Sequence, residues 1–303
     1  MPQMIHGIVG TPVTPFTADN KVDSATLGRL VDFLIRHGIH AMALPMHIGE
    51  NLNMSAEERQ EVARVAVEAA AGRIPIVVNT SLPGTDQVVA LSRHAQKVGA
   101  RGVIAITPYH WHPQRAALVD HFVTLGSALD ISVLGYNYPE RLGVSMTPEI
   151  LLEMIEKIPN FVGVKDASFN LEYFTEACRV TLEARPGFAM FSGVEYMLSA
   201  MVVGGAGTFS ACGGVAPRLV KAVYDACAAG DYQKARPLQY RLSHLFQVLK
   251  VGYPATIKAA MEIMGRPVGL TRKPLPPLEP SGWKRLEVDL GKMGILSDEP
   301  HGW

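Results

Sequence analysis

Only three of the 303 residues are cysteine, and Cys178, Cys212 and Cys227 lie far apart with no CxxC pair among them. A disulfide framework is excluded, and a reduced, intracellular setting is the simplest expectation. Charge of one sign is also lacking: 28 Lys and Arg balance 28 Asp and Glu. With no long basic run, a nucleic-acid surface is not expected. No apolar run nears the ~18 residues of a membrane span. The opening MPQMIHGIVG has no basic stretch leading into an apolar one. Neither a membrane anchor nor a signal peptide is therefore expected, and the chain reads as cytoplasmic.

What is present is apolar mass in a repeating alternation. Hydrophobic residues make up 48% of the chain, enough for one large barrel or two ordinary domains. Short apolar runs recur at 7–16, 39–45, 74–81, 101–108, 131–137, 161–168, 187–193 and 206–213. Most are continuously apolar, as parallel strands covered on both faces must be. Between them lie stretches of helical periodicity. One opens at Ser24 as the expected N-cap and closes at Gly38; another carries Ser55 and Glu58 at capping-box spacing. The pattern predicts an α/β fold, a (β/α)8 TIM barrel over 1–225, with a C-terminal helical extension over 226–303 packed on it. A doubly wound sheet is the alternative, but no GxGxxG follows an early strand. The glycine cluster VVGGAGTFSACGG reads equally as a phosphate cradle or as tight turns around a short strand.

Barrel enzymes build their sites at the C-terminal ends of the strands. The stretch FVGVKDASFN at 161–170 ends an apolar run on Lys165, where an ammonium loses hydration. Two readings are open there: an ion pair with the adjacent Asp166, or an amine of depressed pKa acting as a nucleophile. Tyr136, at the mouth of the neighbouring strand, could donate and accept the protons of carbinolamine formation, or simply pack its ring. His47, His110 and His112 sit on two loops without helical spacing or a carboxylate partner, so no metal site is expected.

GVKDAS, YNYP, TPY, GE followed by MSAEER, an opening TPF with VD soon after, and the C-terminal YPATIKAAMEIMG together form a specific set. Over the whole chain it resembles the dihydrodipicolinate synthase and N-acetylneuraminate lyase family. The resemblance implies a (β/α)8 barrel with a C-terminal helical extension, assembled as a homotetramer that is a dimer of dimers. It implies that Lys165 forms a Schiff base with pyruvate or another 2-oxo acid while Tyr136 shuttles protons, chemistry that needs no metal or organic cofactor.

The departures from the family pattern matter as much. Where the family carries Gly-Thr-Thr-Gly-Glu or Gly-Ser-Thr-Gly-Glu, this chain has Met46-His47-Ile48-Gly49-Glu50. His47 could stand in as a donor, act as a cation facing a carboxylate, or merely fill space. Ile48 can do neither of the first two, which leaves the loop's backbone N–H groups to hold an acid. The second tyrosine of the synthase branch, after Tyr109, is replaced by His110, followed by Trp111 and His112. Arg141 matches an arginine that binds the second substrate's carboxylate in that branch. The candidate substrate-binding residues are thus His47, Ile48, Gly49, Glu50, Tyr109, His110, Arg141 and Phe209, with Ser192 and Glu195 added by strand position. The expected activity is that of a class I lyase, an aldolase or dehydratase, acting on a 2-oxo acid derived from a sugar acid or an aromatic compound. The alternatives are a synthase-like condensation of pyruvate with an aldehyde, and a non-catalytic barrel that binds a small acid.

Overall fold

The computed structural model describes residues 4–303. Met1–Gln3, the start of the expected barrel segment and of the opening read for a leader, lie outside the described residues. Eight strands form: β1 (Gly7–Gly10), β2 (Ala41–Leu44), β3 (Ile76–Asn79), β4 (Gly102–Ile106), β5 (Ser132–Asn137), β6 (Phe161–Asp166), β7 (Ala189–Ser192) and β8 (Gly207–Ser210). They close in chain order, all parallel, into the predicted (β/α)8 barrel. Every strand residue is buried, because helices cover the outside and side chains fill the inside. The run expected over 7–16 leaves the sheet after Gly10, where Pro12 and Pro15 have no N–H to give the ladder.

The helices begin close to where their caps were expected. Ser55 accepts from the Glu58 N–H, and Glu58 returns the bond to the Ser55 N–H at 3.0 Å, a complete capping box. The first helix (Ser24–Arg36) departs by one residue: Asp23, not Ser24, is its cap, accepting the Thr26 N–H at 2.9 Å. An aspartate adds its charge to the helix N-terminus, which a serine does not. The glycine cluster resolves into β8 and a 3-10 turn at Cys212–Gly214. Gly207 sits at φ +144 directly against Gly7, and a Cβ there would lie 2.1 Å from the Gly7 carbonyl oxygen. The glycines thus close the barrel seam between β1 and β8, which is the tight-packing alternative.

Beyond the barrel, the helix Pro217–Ala228 is followed by helices at Tyr232–Leu249, Ala255–Ile263, Pro280–Lys292 and Ile295–Asp298. Arg266 ties this layer down. Its fully buried guanidinium donates to the carbonyls of Gly214, Val215, Pro300 and Gly302 and lies 4.4 Å from the Phe33 ring.

One irregularity positions the site. Val133 pairs with Phe161, yet the next residue, Leu134, pairs with Gly163, so Val162 is an extra residue in β6. The slip carries through, and Tyr136 pairs with Lys165 instead of Val164. Gly163 makes it possible, since a Cβ there would sit 2.5 Å from the Ala189 carbonyl oxygen. Gly163→Ala should therefore destabilise the barrel by about 1–3 kcal/mol through overpacking, read as a lower urea midpoint at unchanged m-value.

Candidate active site

Successive strand residues face opposite sides of a sheet, and Lys165 and Asp166 obey this. The Asp166 carboxylate accepts from Asn137 Nδ2 at 2.8 Å, Ser168 Oγ at 2.8 Å and Ser168 N at 3.2 Å, and does not pair with Lys165. Lys165 is 6% exposed, with its Nζ 3.9 Å from the centroid of the Tyr136 ring and 5.4 Å from that of Phe209. Burial lowers its pKa to about 7, opposed only in part by the Glu195 carboxylate. Near neutrality a large share of Lys165 is free amine, resting on aromatic faces that tolerate both of its charge states. The Tyr136 phenol is buried, which pushes it far above its ordinary value and keeps it protonated. It can therefore donate a proton in hydrogen bonds throughout the neutral range.

Aromatic rings continue the wall. Tyr138 stacks on Tyr136 with centroids 5.9 Å apart, and His47 lies 5.5 Å from Tyr136 and 6.3 Å from Tyr138. Burial, then the positive charges of Lys165, Arg141 and Arg59, bring His47 down to about 4. The sequence reading left open a histidine cation facing a carboxylate; burial and the neighbouring basic groups instead favour a neutral imidazole.

The rest of the MHIGE loop is structural in its side chains. Ile48 packs into the hydrophobic core. Gly49 accepts from Thr14 Oγ1 at 2.7 Å through its carbonyl, and a Cβ on it would meet that same oxygen at 3.0 Å. Glu50, expected to bind substrate, points the other way. Its carboxylate pairs with Lys258 Nζ at 2.8 Å and accepts the Arg272 N–H at 2.8 Å, both from the C-terminal extension. Arg272 in turn grips Glu58 with two bonds of 2.6 and 2.7 Å. Sequence reasoning missed this because the partners of Glu50 lie more than 200 residues downstream.

The TPYHWHP loop divides. Tyr109 is half-buried and faces the charge of Arg59, a buried guanidinium fixed by the carbonyls of Asn79 and Ser81. His110 and Trp111 pack edge to face at 4.8 Å, both exposed, with Trp111 at 73%. Neither is brought to Lys165 of the same chain. Arg141 is exposed on a short helix, yet its charge acts on both His47 and Tyr136. Phe209 lies beneath Lys165, whereas the Ser192 hydroxyl is taken up by Val194 O at 2.9 Å. Two further residues were missed. Tyr138 carried a signal in its i, i+2 spacing from Tyr136. Tyr253, which opens the signature YPATIKAAMEIMG in the extension, was given no role there, although its phenol feels the charges of Glu195 and Arg141. No group of three or more His, Cys, Asp or Glu among the described residues is arranged to hold a metal ion. No helix among them is long and apolar enough to cross a membrane.

A family model described as Dihydrodipicolinate synthetase family matches residues 4–293. The chain belongs to the dihydrodipicolinate synthetase family. It is similar to 4-hydroxy-tetrahydrodipicolinate synthase of Azoarcus sp. (strain BH72), 34% identical over 96% of this chain and 99% of that one. The same enzyme of Methanosarcina barkeri is 30% identical over 97% of this chain and 100% of that one. Among solved structures it resembles YagE, a prophage protein of the dihydrodipicolinic acid synthase family from E. coli K12 in complex with pyruvate. There the TM-score is 0.93 at 28% identity, over 97% of this chain and all of that one. As a dihydrodipicolinate synthetase family member the chain is a lyase of the Schiff-base aldolase or dehydratase type. In this member the loop after β2 is locked to the extension through Glu50. Lys258→Ala strands that carboxylate and should cost about 3–5 kcal/mol, whereas Glu50→Gln with Lys258→Met should recover most of it. Urea midpoints of the three proteins check this.

Proposed function

We propose that Lys165 is the amine that forms the Schiff base, with pyruvate or a related 2-oxo acid, and that the chain cleaves or dehydrates a 2-oxo acid derived from a sugar acid or an aromatic compound. One observation carries this reading. Of the five buried Lys and Arg side chains among the described residues, Arg59, Lys258, Arg266 and Arg272 all donate to carbonyls or carboxylates, and Lys165 alone has no hydrogen-bonded acceptor. A structural cation is satisfied; this one is free to react.

Attack by the neutral Lys165 amine on the ketone carbon gives a carbinolamine, which takes up one proton on its hydroxyl, loses that oxygen as water and leaves a protonated imine. That cation accepts the electron pair released when a neighbouring C–C bond breaks or a proton leaves the adjacent carbon. Tyr136, protonated and against Lys165, is placed to pass protons to and from the carbinolamine oxygen. The positive charges of Arg141 and Arg59, both felt at His47, favour an anionic substrate. Within the loop after β2, the N–H groups of Gly49 and Glu50 are spent on Met46 and His47 carbonyls, so carboxylate binding falls to those of His47 and Ile48. The wall of His47, Tyr136 and Tyr138 supports a substrate larger than pyruvate. Arg141 favours the second reading, a synthase-like condensation of pyruvate with an acid-bearing aldehyde. A homotetramer is what the family resemblance implies, while a cytoplasmic setting and the division into a catalytic barrel over 1–225 and its extension over 226–303 are expectations from composition and patterning.

Incubation with pyruvate and a hydride donor should place a reduced adduct on Lys165 and on no other residue, located by peptide mass spectrometry. Lys165→Ala should fold and form none. Adduct formation should rise as pH climbs through about 7, since the reactive form is the amine present above that value. Tyr136→Phe keeps the ring under Lys165 but loses the proton relay, and should slow imine formation by about 10²–10⁴-fold.

A further inference from the structure

Glu50 is unusual in its backbone and its side chain together. It joins two 3-10 turns, His47–Gly49 and Asn51–Asn53, and sits at φ 59, ψ 35 in the left-handed region. A glycine takes that backbone without strain and a glutamate does not, so what the glutamate adds is its carboxylate. Its backbone N–H donates to the His47 carbonyl at 3.0 Å, and its own carbonyl accepts the Asn53 N–H at 2.8 Å. The buried side chain leaves the loop and enters the C-terminal extension, where Lys258 Nζ and the Arg272 N–H each reach it at 2.8 Å.

Both partners are themselves fixed. Lys258 Nζ donates to the Leu270 carbonyl at 2.9 Å, and Arg272 grips Glu58. The two cations share the Phe16 ring, at 4.3 Å and 4.0 Å from its centroid. Arg272 also donates to the Asn53 carbonyl at 3.2 Å, so the second turn is held from the same side. The first turn is held from the barrel, through Thr14 Oγ1 and the Gly49 carbonyl.

We propose that Glu50 is a positioning residue for the carboxylate of the substrate: gripped by Lys258 and Arg272, it sets the turn whose His47 and Ile48 N–H groups take that carboxylate. This rests on the Schiff-base reading of Lys165 and divides the labour within it. The extension decides how well an acid is held, and the barrel lysine how its ketone reacts. Glu50 itself touches no substrate. With the family-typical hydroxyls absent at His47 and Ile48, the acid depends on backbone donors alone. A backbone N–H cannot rotate to suit its acceptor, and a hydrogen bond weakens steeply as it bends, so these donors are aimed only as well as their turn is.

Two ketones separate this role from general damage. Pyruvate carries the carboxylate, whereas acetone has the ketone alone. The rate at which each gives a cyanoborohydride-reduced adduct on Lys165 is measured at low ketone concentration, and the pyruvate-to-acetone ratio reads the carboxylate site. Glu50→Ala with Lys258→Met removes the tether without stranding a charge. It should lower the ratio about 10–100-fold, through pyruvate alone. Glu50→Gln with Lys258→Met removes the same charges but keeps an acceptor for the Arg272 N–H, and should hold the ratio near that of the wild type. An unchanged ratio in folded Glu50→Ala with Lys258→Met overturns the proposal, as does an equal slowing of both ketones. An equal loss in the Gln variant overturns it too. Should the Ala variant not fold, Glu50→Asp keeps the charge and shortens the tether, and an unmoved ratio there is equally fatal. A wild-type protein that traps neither ketone instead overturns the Schiff-base reading itself.

Discussion

An ammonium group that leaves water without an anion on its own strand must be held there by everything around it. Lys165 is in that position, and the arrangement of the barrel mouth can be read as the means of keeping it there. Asp166, the obvious partner, is turned to the other face and satisfied by Asn137 and Ser168. In its place the lysine meets the ring of Tyr136 on one side and that of Phe209 on another. Aromatic faces attract a cation only weakly compared with a carboxylate, so they stabilise the ammonium without trapping it. Burial, opposed only in part by the Glu195 carboxylate, lowers the pKa of Lys165. The result is an amine poised near neutrality, the condition that general reactivity of a lysine with ketones demands.

The C-terminal extension contributes to this poise from a distance. Glu50 to Lys258, Glu58 to Arg272, and Arg266 to the carbonyls of Gly214 and Val215 form three anchors between the barrel and the added helices. They immobilise the loop that carries His47 and the turn at Cys212–Gly214. A wall of neutral rings with fixed cations behind it favours an acid over an uncharged sugar. The same extension brings Tyr253 to the mouth, so the site is assembled from both parts of the chain.

Much of this was legible beforehand. The eight apolar runs hold the eight strands because runs this short, set between longer stretches of helical period, suit parallel strands covered on both faces. The capping box at Ser55 formed because it depends on residues three apart. Lys165 and Tyr136 could be chosen for their position at strand ends. Their pairing could not, since it depends on the extra residue at Val162, and a one-residue slip leaves no trace in composition. Glu50 was misread because its carboxylate could be assigned only by knowing where Lys258 and Arg272 return in space. His110, at φ 74, packs its ring against Trp111, a local contact that spacing alone does not specify. The contacts that failed to show in the sequence are the long-range ones.

The central claim is that desolvation leaves Lys165 as an amine near neutral pH, and the direct measurement is a titration of the lysine Nζ resonances by NMR in ¹⁵N-lysine-labelled protein. Two lysines should titrate below the ordinary range, Lys165 at about 7 and the Glu50-paired Lys258 at about 8. Only the lower transition should vanish in Lys165→Arg. A Lys165 resonance that stays fully protonated to the ordinary lysine range would contradict the account.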